Sequence, residues 1–272
     1  MSKAKNTAKV LERLRSADLR DRAEALLRLN HDSDQTLDHA VIEALIDNLA
    51  SPGKAVQRYA AGALAAAARH NPELTERLVS VLESEPAARW AAAYALGLIE
   101  GALDLRACGA LIDALGNDDG DVRWAALDLT VRLARRYPEA MRIRLLEMQR
   151  RGDANSRKMA LYAMRDLGLR DCAATAAACE ACANPESEVR LAGLSFLKAA
   201  GACGPDALDA ALNCLESDPN PGVRRAAAFT LGYLGARSER VLIALRKAAA
   251  NHSDPSLCRS ARLTLARLKE EA

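Results

Sequence analysis

The stretch VRRAAAFTLGYLG, running from Val223 to Gly235, decides the fold. With Val223 as position 0, apolar or small residues stand at positions 0, 3, 4, 7, 8 and 11. At about 100° per residue these positions form one stripe along an α-helix. Position 9 is Gly232, and Ala65 and Gly97 hold the matching place in two earlier copies. A small residue there lets a neighbouring helix approach closely. The copies are AVQRYAAGALAAAA from Ala55, AARWAAAYALGLIEG from Ala87, DVRWAALDLTVRLA from Asp121, NSRKMALYAMRDLG from Asn155 and EVRLAGLSFLKAAG from Glu188. Their second motif positions are Gln57, Arg89, Arg123, Arg157, Arg190 and Arg224, and Arg259 continues the column. The successive spacings are 32, 34, 34, 33, 34 and 35 residues. A fixed period of this length is the signature of a stacked repeat.

Each period has room for two helices. The first is amphipathic, as in HAVIEALIDNLA from His39 and PDALDAALNCLES from Pro205. A polar or Pro/Gly turn follows, such as Ser51-Pro52-Gly53 or Asp218-Pro219-Asn220-Pro221-Gly222, and the motif helix comes next. Asn71-Pro72, Tyr137-Pro138 and Gly204-Pro205 open new repeats, with Pro where its missing N–H costs little. Half of the chain is apolar but only 3% is aromatic, so its apolar mass is mainly Ala and Leu, which favour helix over strand. About sixteen helices in antiparallel pairs and no sheet are expected.

The pattern V-R-x-A-A-x-x-A-L-G-x-L-G, best kept in Val223 to Gly235, resembles the HEAT-like repeat, including the variant named after phycobilisome lyases. The resemblance runs from about Ala8 to Leu268. It implies an all-α, α-α superhelix of about eight helix pairs, a single solenoid over residues 1–272. Atypical capping repeats are expected at about 4–30 and 238–271. It also implies a structural ladder of Arg89, Arg123, Arg157, Arg190, Arg224 and Arg259, paired with acids between neighbouring repeats. The acids Asp118 or Asp121, Asp153, Glu186, Asp218 and Asp254 stand a few residues before Arg123, Arg157, Arg190, Arg224 and Arg259 in turn. The second helix of each repeat is expected on the concave face.

All nine aromatic residues fall in or at the end of a motif helix. Trp90, Tyr94, Trp124, Tyr162, Phe229 and Tyr233 take positions 2, 6 or 10, of which 2 and 6 point away from the core stripe. Asp128, Arg132, Lys158 and Arg225 alternate with them. Together these ten residues form the expected binding groove, rich in the residue types enriched at binding hot spots. The competing view is that the aromatics pack between repeats. A protein or peptide is the expected partner of a non-catalytic scaffold.

The formal net charge of +2 selects no partner. Residues 120–170, however, hold 12 Lys/Arg against 6 Asp/Glu, a local balance of +6 that leaves −4 for the remainder. Nucleic acid is therefore the alternative partner. Trp124 and Asp128 sit four apart, a spacing similar to one found in HEAT-like glycosylases that remove alkylated DNA bases. Cys179-x-x-Cys182, with Cys172, Cys203 and Cys214 nearby, has zinc-like spacing but lies in an Ala-rich helix, where thiols pack as small hydrophobes. No metal or cofactor is expected. Polar, basic residues open the chain, no apolar run reaches membrane-spanning length, and the seven cysteines are an odd number, as expected of a cytoplasmic protein with free thiols. Its Ala and Arg content suggests a bacterial source.

Overall fold

The Val223 motif is a helix, and so is every copy of it. The computed structural model describes residues 2–31, 37–201, 204–235 and 237–270. Among these are sixteen α-helices and no strand. In the first half, α1 (Ser2–Leu14) and α2 (Leu19–His31) are followed by α3 (His39–Leu49) and α4 (Lys54–Ala68), α5 (Glu73–Ser84) and α6 (Arg89–Leu98), then α7 (Cys108–Leu115). In the second half come α8 (Gly120–Arg136), α9 (Pro138–Arg151) with α10 (Ala154–Asp166), and α11 (Cys172–Ala181) with α12 (Ser187–Ala200). The pairs α13 (Pro205–Ser217) with α14 (Pro221–Tyr233) and α15 (Glu239–Ala249) with α16 (Pro255–Glu270) complete it. The helices group into two compact units, residues 1–114 and 115–272.

Within each unit, odd-numbered helices form one layer and even-numbered motif helices the other, each motif helix packing on an adjacent odd-numbered helix, α8 on α9, and on its even neighbours in the unit. The stripe read from Val223 is the core: Val223, Ala227, Thr230 and Leu231 are buried, as are Val122, Ala126, Leu129 and Leu133 in α8. Small residues draw neighbouring helices together. A Cβ built on Gly232 of α14 would meet Thr264 Cγ2 of α16 at 2.8 Å, so position 9 is small because the next motif helix occupies the space. The Thr264 hydroxyl donates across the same junction to Ala228 O at 3.1 Å.

Side chains in the turns satisfy free N–H groups that open several of the helices. Asp119, Asp153, Asp171, Asn220, Ser238 and Asp254 do this for α8, α10, α11, α14, α15 and α16. Asp171 also receives two hydrogen bonds from Arg142 of α9, at 2.9 and 3.1 Å. The Arg142 bonds and the amides of Ala173 and Ala174 hold its carboxyl at about 2. A depressed carboxyl stabilises the fold above its unfolded value near pH 4, and this contribution is lost as pH falls through the folded value. The full shift corresponds to about 2.5 kcal/mol. With 36% of the side chain exposed, screening reduces it to about 1 kcal/mol. Stability should therefore fall between about pH 4 and pH 2. Asp171→Asn should be less stable near neutral pH and show a shallower acid loss, as read from melting temperature against pH.

Candidate functional site

The arginine column lies along the turns. Each first helix ends with carbonyls that have no partner within the helix, at the negative end of its dipole. The guanidinium groups supply donors there. Arg89 donates to Leu82 O at 3.3 Å, and Arg157 to Gly152 O at 2.7 Å. Arg123 reaches Asn117 O and Asp118 O at 2.6 and 2.9 Å, and Gln57 reaches Ser51 O at 2.9 Å. Arg190 donates to Asn184 O and Pro185 O, and Arg224 to Asp218 O and Pro219 O.

The ion pairs run forward along the chain. Arg190 binds Asp218 through two bonds of 2.6 and 2.8 Å, and Arg224 binds Asp254 at 3.2 Å. The Asp218 carboxylate therefore serves the arginine of the preceding repeat, Arg224 taking the Asp218 carbonyl, while the Asp254 carboxylate serves Arg224 rather than Arg259. Asp153 likewise caps α10 and feels the charge of Arg123. Arg259 does not continue the column. In α16 the buried stripe is Leu257, Ser260, Ala261, Thr264 and Leu268, so position 0 is Leu257 and Arg259 occupies the exposed position 2. Thr264 and Thr230 share position 7, and each hydroxyl lies within hydrogen-bonding distance of a carbonyl 36 residues earlier, which fixes the register.

Positions 2, 6 and 10 of the motif helices form the candidate surface, and it is described separately in each unit. In residues 1–114, Trp90 and Tyr94 of α6 lie with ring centroids 5.5 Å apart, and the Arg58 guanidinium of α4 stands 5.8 Å from the Tyr94 centroid. Arg58 and Tyr94, but not Trp90, line a cleft of about 400 Å³ with Asn30, Tyr59, Gly62 and Leu98. Gly62 leaves room for Asn30 there: a Cβ would come within 2.5 Å of Asn30 Oδ1, while Asn30 Nδ2 donates to Tyr59 O at 2.9 Å.

In residues 115–272, Trp124 of α8 stacks on Tyr162 of α10, with centroids 5.8 Å apart and planes 14° apart. Trp124 is 56% exposed. Arg165 lies 4.8 Å from the Tyr162 ring centroid, and burial pushes the Tyr162 hydroxyl above its ordinary pKa. Lys158 forms an ion pair with Glu188 of α12, and this pairing holds Glu188 below the ordinary carboxylate value. Further along, Phe229 and Tyr233 of α14 are 41% and 48% exposed. The Lys198 ammonium and the Arg267 guanidinium stand 5.5 and 3.8 Å from the Tyr233 centroid. Arg225 is half-buried at position 2 of α14.

Asp128 and Arg132 stand apart from these rings. Both are exposed, they face each other at 3.9 Å, and neither lines the cleft of about 310 Å³ beside Trp124 and Tyr162. Trp124 and Asp128 are thus not gathered into a pocket of the kind that holds a flipped base. The basic stretch is dispersed too. Arg123 and Arg157 are held by turn carbonyls, Arg142 by Asp171, Arg144 and Arg151 by Glu147, Lys158 by Glu188 and Arg165 by Asp166. Cations of α9 lie in the other helix layer from those of α8 and α10.

The cysteines divide by place. Cys182 and Cys214 are buried, and the Cys214 thiol donates to Cys182 O at 3.4 Å. A side-chain interaction between the Cys182 and Cys214 thiols, together with burial, pushes the Cys182 thiol up. Cys172, expected in the core, is exposed at the first residue of α11, and Cys179 is half-buried. Cys203 lies outside the described residues. No three His, Cys, Asp or Glu side chains gather as a metal site among the described residues. No described helix is long and apolar enough to cross a membrane.

Arg165, Lys198, Leu263 and Arg267 also border the surface but do not belong to the expected groove. Lys198 sits at position 9, where the motif favours Gly or Ala. Leu263 and Arg267 occupy positions 6 and 10 once α16 is counted from Leu257. The 35-residue interval between Arg224 and Arg259, against 34 for its neighbour, is the sequence sign of that displaced register.

The comparisons agree with this architecture. None of the curated proteins matches the sequence. Kap95p, in a structure with RanGDP, superposes with a TM-score of 0.68 at 14% identity, over 96% of this chain and 41% of that one. A structure of yeast importin-β (Kap95p) gives 0.62 at 12% identity, over 100% and 42%. The Escherichia coli protein YibA gives 0.61 at 13% identity, over 96% and 92%. The chain thus spans under half of the importin-β chains, and identities this low speak for the fold alone. The family described as HEAT repeats matches residues 42–129 and 208–272, more than half of the chain, without singling out the phycobilisome-lyase subtype. With its sixteen-helix layered repeat and that match, the chain belongs to the HEAT repeat family.

Proposed function

We propose that the chain is a non-catalytic scaffold that binds a protein or peptide along the aromatic, cation-flanked face of its motif helices. One observation carries this reading: Trp124, Phe229 and Tyr233 are 41–56% exposed on that face while Leu, Val and Ala fill the core. Charged residues would keep the same face more soluble, so large exposed rings there are best explained by a partner. Kap95p, which shares the fold, binds RanGDP, a protein.

The test is a double variant, Tyr94→Ala with Trp124→Ala. The Trp124–Tyr162 stack contributes about 1 kcal/mol to the fold. Helical content and a cooperative melt should therefore survive. Cross-linked partners recovered by affinity capture and quantified by mass spectrometry should fall about tenfold. Collapse of the fold would mean that these rings are packing between repeats. Full recovery of partners by a folded variant would place binding elsewhere.

A further inference from the structure

We infer that the outer face of α12, α14 and α16 docks an acidic peptide segment bearing apolar side chains. This rests on the scaffold reading above and names the chemistry of the partner. The argument starts from the register. Positions 2, 6 and 10 are Leu191, Ser195 and Ala199 in α12, Arg225, Phe229 and Tyr233 in α14, and Arg259, Leu263 and Arg267 in α16. None of these nine positions holds a carboxylate, whereas the same positions of α8 and α10 include Asp128 and Asp166.

The apolar residues run through the middle. Leu263 is 57% exposed and stands at the same motif position as Phe229, which is 41% exposed. Beside them a cleft of about 370 Å³ is floored by Ala226 and Thr230 and walled by Leu191, Phe229 and Tyr233. It exists because α12 places Ser195, a short side chain, at the position where α14 has Phe229 and α10 has Tyr162. Cations border the apolar strip on both sides. Arg225 and Arg259 take position 2, while Lys198 and Arg267 gather at Tyr233. Asp254, which feels Arg225, is already engaged by Arg224 at 3.2 Å. An apolar strip between two cationic margins is complementary to a segment that alternates apolar and acidic side chains.

Nucleic acid fits the patch less well. Sequence-independent binding of single strands uses open ring faces for stacking along a groove that tracks phosphates. Here Arg267 covers the Tyr233 ring at 3.8 Å, and Leu191 and Leu263 offer no stacking plane.

Fluorescence anisotropy tests the inference with the full chain and a short fluorescein-labelled peptide in which Leu and Phe are spaced by Asp and Glu. The peptide should bind, and binding should weaken with added salt. Replacing its Asp and Glu by Asn and Gln should weaken it about tenfold or more, as should Lys198→Glu with Arg267→Glu, or Phe229→Ser with Leu263→Ser. Phe229, Leu263 and Lys198 are exposed and Arg267 is half-buried, so each variant's circular dichroism should match the parent and its melt should stay cooperative. Lys198→Gln with Arg267→Gln gives the same answer without introducing negative charge, with a smaller loss. Equal binding of the amide peptide, or indifference to the charge variants, overturns the inference. So does an oligothymidylate that binds more tightly than the acidic peptide. If capture of partners still depends on Trp124 while the acidic peptide does not bind, the scaffold reading stands and this one falls.

Discussion

Asp218→Ala should lower the free energy of unfolding by about 3 kcal/mol, the range for removing one partner of a buried ion pair. Arg190 and Asp218 are 8% and 7% exposed, and their two hydrogen bonds are 2.6 and 2.8 Å long. Truncating Asp218 leaves the guanidinium buried, with Asn184 O and Pro185 O as its remaining acceptors among the described residues. It also removes the carboxylate oxygen that accepts from the Asn220 amide at 2.8 Å, loosening the turn before α14. The comparison is Arg240→Ala. Arg240 lies 2.6 Å from Asp209, but both side chains are more than half exposed, so its loss should cost under about 1 kcal/mol. Denaturant unfolding followed by circular dichroism measures both. Equal effects would show that burial does not distinguish the two pairs. Hydrogen exchange should also rise first in α12, α13 and α14, because in a stacked repeat each element leans chiefly on its neighbours.

Gly193→Ala should destabilise by about 2 kcal/mol even though Ala is the better helix former by about 1 kcal/mol. A Cβ on Gly193 of α12 would stand 2.8 Å from Ala178 O, 3.1 Å from Ala181 Cβ and 3.1 Å from Cys182 Sγ. The first of these is backbone of α11 and cannot rotate away. α11 would have to move off α12, opening the buried contact between them. The opposite sign is expected at Gly109 in α7, where an added Cβ meets nothing within 4 Å. Gly109→Ala should stabilise by about 0.5 kcal/mol through helix propensity and lost freedom of the unfolded chain. Thermal melts of the two variants give the signs directly, and a Gly193→Ala variant as stable as the parent would show that the α11–α12 spacing is not limited by this glycine.

The two substitutions bear on the candidate surface as well. Gly193 and Arg190 belong to α12, which supplies Leu191, Ser195 and Lys198 to the cleft beside Phe229 and Tyr233. The exposed rings keep their places because the opposite side of each motif helix is tightly seated. Substitutions at Gly193 or Asp218 should therefore weaken binding only as far as they loosen the stack, whereas those at Phe229 or Leu263 should act on binding without a comparable loss of stability.

The sequence alone determined what depends on local periodicity. The stripe at positions 0, 3, 4, 7, 8 and 11 made the motif a helix with one buried side, and its return every 32 to 35 residues made the chain a helical repeat. The outward placement of Trp124 and Phe229, at positions 2 and 6, followed from the same count. The tertiary structure decided which side chains meet across repeats. Arg190 finds Asp218 and Arg224 finds Asp254, 28 and 30 residues further on, because adjacent turns are neighbours in space and not in sequence. Arg259 left the turn column because α16 seats Leu257 in the core, a choice made by packing against α14 and α15. The +6 balance of residues 120–170 was plain in the sequence, yet helix periodicity and local ion pairs scatter those charges over turns and both layers. Lys198 and Arg267 converge on Tyr233 only when three motif helices lie side by side, since a charge and a ring interact over a few ångströms of space whatever their separation along the chain.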